Sequence, residues 1–152
     1  MYKIILFCIL FNYTLYANNS YNNIFKYYGK KYNIPAELLW GIASHESKFN
    51  PNAIGKNPNG TTDYGLMQIN SIHKATLEKR NLTIDDLFNP KINIAMGAEI
   101  LSKCFDKHGF TWQGLNCYNG RVKNNPYHKN VLNEIKKRRL NNAKYAKTKI
   151  RK

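Results

Sequence analysis

At 152 residues the chain is sized for one domain and is long enough to bury a core without metals or a disulfide framework. A hydrophobic content of 43% excludes a compositionally disordered chain. With 24 Lys and Arg against 9 Asp and Glu, the formal net charge is +15. That charge leaves nucleic acid, a membrane surface, a wall polymer or a merely solvated basic face open, and says nothing about fold.

Residues 1–17 read as a secretory signal peptide. Lys3 is a short positive leader, Ile4 to Phe11 is an unbroken apolar run, and Leu15-Tyr16-Ala17 offers a small residue for cleavage near Ala17. The run is too short for a span, which needs about 20 apolar residues, so no stable membrane span is expected. Cys8 lacks a lipoprotein context. A periplasmic or secreted location removes nucleic acid from the partners. It also leaves Cys104 and Cys117 as an even pair in an oxidising compartment, a candidate disulfide. Two buried free thiols are the alternative. The 4 His fall at no ligand-like spacing, so neither a metal nor another cofactor is expected.

The domain proper is expected over residues 18–140. Asn18 to Asn23 is polar and reads as flexible. Ile24, Tyr27, Tyr28 and Tyr32 then recur at helical spacing until Asn33-Ile34-Pro35 breaks the pattern. Pro35 suits the first turn of a second helix, with Glu37 near its positive end, running to about Lys48. Asn50 to Asp63 is dense in Asn, Gly and Pro, and reads as an irregular loop or small hairpin. Structureless stretches of that length in compact domains are usually functional.

Ser71 to Lys79 is predicted helical, and Thr83-Ile84-Asp85-Asp86 resembles a helix start. Asn89-Pro90 is a stronger one, with Asn as cap and Pro in the first turn. The helix that follows carries Ile94, Ala98, Leu101 and Phe105 on one face and stops before Gly109. Trp112 to Tyr118 forms a short helix. Pro126 to Leu140 forms a last one, with Val131, Leu132 and Ile135 facing inward. Residues 141–152 form a basic tail, read as a frayed helix or a disordered extension.

Glu46 is the residue to examine for chemistry. In a helix it shares a face with Leu39, Ile42 and Ala43, which puts a carboxyl on the apolar stripe. Desolvation there raises the pKa, and a carboxyl protonated near neutral pH can donate to a leaving oxygen. A lone Glu at a helix end is otherwise an ordinary surface residue. Its company decides the matter: Glu46-Ser47 ends one helix, Gly65-Leu66-Met67-Gln68-Ile69-Asn70 follows a loop, and Cys117-Tyr118-Asn119-Gly120 follows a further helix.

In that order these segments resemble the lytic transglycosylases of the soluble type, relatives of goose-type lysozymes. The nearest likeness is to the small members that accompany secretion, conjugation and pilus systems, which also carry a segment like Thr62-Asp63-Tyr64-Gly65-Leu66-Met67-Gln68-Ile69-Asn70-Ser71. The resemblance covers roughly Ile24 to Val131. It implies a mainly α, lysozyme-like domain with at most a short β-hairpin near 50–70, acting on peptidoglycan glycan strands. It also implies components of such a machine as partners.

Glycoside cleavage needs an acid at the bridging oxygen and stabilisation of an oxocarbenium-like centre. Asp63, Asp85, Asp86, Glu99 and Glu134 are the available second carboxylates, and only Asp63 stands near a motif. The resemblance implies one carboxylate instead: Glu46 protonates the oxygen between N-acetylmuramic acid and N-acetylglucosamine. It then takes the proton of the muramic C6 hydroxyl, leaving a 1,6-anhydro end.

By the same resemblance Ser47 bonds the glutamate or its helix end, and Gly65 lets the backbone approach the sugar. Met67 and Gln68 line the cleft, and Gln68 offers amide bonds. Tyr118 orients Glu46 through its hydroxyl, and Asn119 binds sugar or braces its loop. Tyr127 also reaches the cleft. Two positions depart from the family: Cys117 stands for the usual Ala, and Arg121 for a common Gly or Ala. A hydrolytic muramidase on the same scaffold, or a non-catalytic wall-binding scaffold protein, are the alternatives.

Overall fold

The computed structural model describes residues 21–150. The signal-peptide reading lies outside the described residues. Among the described residues the fold has six α-helices and a small antiparallel sheet: α1 (Asn22–Tyr32), α2 (Ala36–Ser47), β1 (Ile54–Lys56), β2 (Thr62–Tyr64), β3 (Ile69–Asn70), α3 (Lys74–Glu78), α4 (Pro90–His108), α5 (Trp112–Tyr118) and α6 (Tyr127–Ile150). Short 3-10 turns cover Ser71–His73 and Asp85–Phe88. This is the lysozyme-like helical arrangement the motifs imply.

The core is built around α2, where Leu38 through Ser44 are all buried. A helix apolar all round has to be enclosed by its neighbours. It lies between α1 and α6, with α4 closing the far side. Gly41 sets how close α6 comes, because a methyl group there would meet the Ile135 side chain at 2.7 Å. Tyr127, Val131 and Ile135 are the buried stripe of α6. Leu132, expected inward, is 51% exposed, since its position falls about 100° off that stripe.

Pro35 sits one residue outside α2, in the capping position, where its missing N–H costs nothing. The other end of α2 closes with Lys48 and Phe49 both at positive φ, 53° and 65°. Their N–H groups bond back to Ser44 and Ala43 at 3.3 and 3.4 Å, and the Phe49 ring packs on Trp40. Thus the chain turns sharply immediately after Glu46-Ser47.

The expected hairpin near 50–70 is present, with Gly55 opposite Asp63, and a two-residue third strand pairs Asn70 with Asp63. The Asn89 side chain caps α4 by accepting from the Lys91 N–H at 3.0 Å, with Pro90 in the first turn. Cys104 of α4 and Cys117 of α5 are joined in a disulfide, Cα to Cα 5.7 Å. The first helix starts at Asn22, two residues before the periodicity suggests. The basic segment continues α6 as helix to Ile150, with every side chain over 141–149 exposed. No described helix is long and apolar enough to cross a membrane.

Candidate active site

A cleft of about 670 Å³ opens between the end of α2, the sheet and the turn after α5. Glu46, Asp63, Gln68, Tyr118 and Asn119 line it, with Arg121 at its edge. Glu46 reaches it from the last turn of α2. Burial pushes its carboxyl up from the ordinary 4.5 to about 7, a hydrogen bond from Tyr127 pulls the other way, and the charge of Asp63 adds to the rise.

The tyrosine that holds the glutamate is Tyr127. Its hydroxyl donates to Glu46 Oε1 at 2.5 Å. Tyr118, expected in that role, instead donates to the Met67 carbonyl at 2.9 Å. The two rings lie nearly parallel, centroids 6.3 Å apart and 18° between planes, so Tyr118 backs Tyr127. Burial, then the nearby Glu46 charge, lifts both phenols well above their ordinary range, so both stay protonated donors.

The Gly65-Leu66-Met67-Gln68 loop is fastened from three sides. Ser47 Oγ donates to the Leu66 carbonyl at 2.7 Å, tying the loop to the end of α2. Tyr118 holds Met67. Buried Asn93 of α4 accepts from the Met67 N–H at 2.7 Å and donates to the Tyr64 and Leu87 carbonyls, each at 2.8 Å. Sequence reasoning missed Asn93. Its signal was available, because Asn93, Gly97 and Leu101 form an i, i+4, i+8 stripe interrupted by one amide.

Several expected roles change with this arrangement. The Met67 side chain does not line the cleft: it is fully buried against Gly97, where a methyl group would meet its sulfur at 2.7 Å. Gly65 is required by the protein rather than by a sugar. It has φ of 75°, and a methyl group there would lie 2.3 Å from both Asn93 Nδ2 and the Leu87 carbonyl. Gln68 lines the cleft, but its amide nitrogen is committed to the Gly65 and Ala53 carbonyls at 2.9 and 3.2 Å. Asn119 lines the cleft and braces its turn, accepting from Asn125 Nδ2 at 3.1 Å.

Of the candidate second carboxylates, only Asp63 lines the cleft. Asn57 and Asn70 donate to its two oxygens at 2.8 and 2.7 Å, which keeps it on the sheet side. Glu99 pairs with Arg80 and Lys103, Glu134 with Ser44 and Lys137, and Asp86 caps Thr83. No His, Cys, Asp or Glu cluster among the described residues could hold a metal ion.

What the cleft can do chemically is bounded by these groups. It offers one proton-transfer carboxyl near neutral pH, one fixed anion beside it, and amides and backbone carbonyls for polar groups such as sugar hydroxyls.

Comparison with known proteins gives this fold a family. The transglycosylase SLT domain family matches residues 23–140. The chain is 40% identical over 114 residues to invasion protein IagB of Salmonella typhi, covering 74% of this chain and 71% of that one. It is 39% identical over 121 residues to a putative peptidoglycan-binding-like protein of Escherichia coli, covering 74% and 75%. Among solved structures it superposes on the 70-kDa soluble lytic transglycosylase of Escherichia coli with TM-score 0.56 at 28% identity, covering 75% of this chain and 19% of that one. For the lytic transglycosylase Slt of Pseudomonas aeruginosa the TM-score is 0.63 at 20% identity, which speaks to fold alone, with 76% and 23% covered. The chain thus spans about a fifth of the solved transglycosylases it matches. On the extent of the domain match and the identity to its relatives, the chain belongs to the transglycosylase SLT domain family.

Proposed function

We propose that the chain is a peptidoglycan lytic transglycosylase with Glu46 as its single acid and base. The observation that carries the reading is a carboxyl in the cleft, desolvated to a pKa of about 7 and held on one oxygen by Tyr127. A group balanced between its two forms at working pH serves both proton transfers.

Glu46 gives its proton to the glycosidic oxygen as the bond from the muramic C1 breaks, and N-acetylglucosamine leaves with a free hydroxyl. The substrate's own 2-acetamido group supports the cationic centre. The muramic C6 oxygen then bonds to C1, and its proton passes to Glu46, which returns to its starting form. No water is consumed. Tyr127 keeps the ionised intermediate form of Glu46 hydrogen-bonded between the two transfers.

Asp63 favours a second reading. A fixed carboxylate in the same cleft suits a muramidase in which water replaces the C6 hydroxyl. Mass spectrometry of peptidoglycan digests separates the two. The transglycosylase yields 1,6-anhydro ends, whereas hydrolysis yields the same fragments heavier by one water.

The signal-peptide reading of residues 1–17 and a wall polymer as substrate support a periplasmic or secreted location. The motif resemblance to small members that accompany such systems suggests local wall opening for a secretion, conjugation or pilus apparatus, and one relative is named for invasion.

A further inference from the structure

We propose that Arg121 forms a carboxylate subsite at the edge of the cleft, reading the stem peptide that hangs from the glycan. The inference rests on the peptidoglycan reading above.

The protein carries 24 Lys and Arg, yet the described cleft lining holds no lysine. Its basic groups are His73 and Arg121. Burial, then the charge of Lys103, lowers the His73 pKa, which leaves Arg121 as the permanent cation of the lining.

The other arginines among the described residues are engaged. Arg80 pairs with Glu99, Arg139 pairs with Glu37, and Arg138 lies over the Trp40 ring and donates to Asn22. Among the described residues no carboxylate pairs with Arg121. Its hydrogen bond is from Nη2 to the Asn124 carbonyl at 2.9 Å, which orients the guanidinium and leaves further donors unused.

The turn that presents it is held firmly. Buried Asn116 donates to the Val122 and Asn125 carbonyls at 3.0 and 2.9 Å, and Asn125 donates to the Arg121 carbonyl at 2.7 Å. Beside it Gly120 has φ of 79° and open space where a side chain would project. An exposed guanidinium without a carboxylate partner, carried on a firmly held turn that lines the cleft, is suited to bidentate capture of a carboxylate.

The sugars of the glycan carry N-acetyl and hydroxyl groups and need no cation. Carboxylates enter the intact polymer through the stem peptides on the muramic lactyl group. A fixed cation at the open edge of the cleft therefore matches the peptide rather than the glycan.

The test crosses two substrates with three proteins. Intact sacculi are compared with sacculi whose carboxyl groups have been amidated by carbodiimide and ethanolamine. Wild type, Arg121→Ala and Arg121→Lys are assayed on each for fragment release and for binding by co-sedimentation. Wild type should act and bind several-fold less well on amidated sacculi, through KM rather than kcat. Arg121→Ala should be equally weak on both substrates, and Arg121→Lys should keep part of the preference for intact sacculi. A loss by Arg121→Ala of the same factor relative to wild type on both substrates, so that the preference for intact sacculi survives, or no loss on either, would overturn the subsite. If wild type releases nothing while the co-sedimentation preference holds, the lyase reading fails and the carboxylate subsite stands. If neither release nor binding depends on amidation, the subsite fails whatever the enzyme does to the glycan.

Discussion

Tyr127 opens α6 and Glu46 lies in the last turn of α2, yet the phenol donates to the carboxyl at 2.5 Å across 81 residues of chain. The bond joins the two helices that pack most extensively against each other. It also sets the poise of the carboxyl, because it is the one contribution that pulls the Glu46 pKa down against burial and the Asp63 charge.

Tyr127→Phe removes that donor with little change of shape. The Glu46 pKa should rise beyond about 7, and the pH–rate profile should move to the alkaline side. With the carboxylate less well solvated between the two transfers, kcat should fall by roughly 10- to 100-fold, within the range for disturbed acid–base catalysis. An unmoved profile would show that the phenol does not tune the carboxyl.

Glu46 also makes stability depend on pH in a definite direction. Its folded pKa lies above the unfolded value, so the fold is favoured by the proton below about pH 4.5. The protonated advantage is lost as pH rises through about 7. The whole shift corresponds to about 3 kcal/mol as an upper figure. Glu46→Gln should therefore be markedly more stable than wild type at pH 8 and nearly equal to it at pH 4. Urea melts of both proteins at the two pH values measure this. A constant difference across pH would contradict the buried, shifted carboxyl.

Asn93→Ala should be among the most destabilising single changes. It leaves the Met67 N–H and the Tyr64 and Leu87 carbonyls without their partner. Unsatisfied buried groups cost about 1–3 kcal/mol each, so a loss of roughly 3–5 kcal/mol is expected. Activity at low temperature should fall too, since the same amide holds the loop that carries Gln68. A change below about 1 kcal/mol in a denaturant melt would count against the clamp.

Reduction of Cys104–Cys117 should lower stability by about 3 kcal/mol, the chain-entropy figure for a loop of this size. Tyr118 immediately follows Cys117 and holds the Met67 carbonyl, so the reduced protein should also lose activity before it unfolds globally. Thiol titration of the unfolded protein with and without reductant, followed by melts of each form, checks both parts.

Much of the site was legible because a helix has a fixed period. Leu39, Ile42 and Ala43 are enough to place Glu46 on a buried stripe, and burial is enough to raise its pKa. Helix starts were legible at Asn89-Pro90, where capping chemistry is local. What sequence could not supply was side-chain direction across the fold. Tyr118 and Tyr127 both point toward the same region, and only packing decides that Tyr127 reaches Glu46 while Tyr118 stops at Met67. Met67 and Gly65 sit in a motif that reads as substrate-facing, but tertiary contacts with Gly97 and Asn93 turn them into the core. The strand Ile69–Asn70 was hidden by its length, since two residues carry no alternation to read.

In the proposed reaction one carboxyl, that of Glu46, performs both proton transfers. Purified sacculi digested with wild type and with Glu46→Gln, both shown to be folded, test it most directly. Wild type should release soluble muropeptides, and the amide variant should release at least 100-fold fewer, since an amide neither donates nor accepts the required proton. Release by Glu46→Gln at the wild-type rate would contradict the assignment and move the chemistry to another group in the cleft, with Asp63 the first to examine.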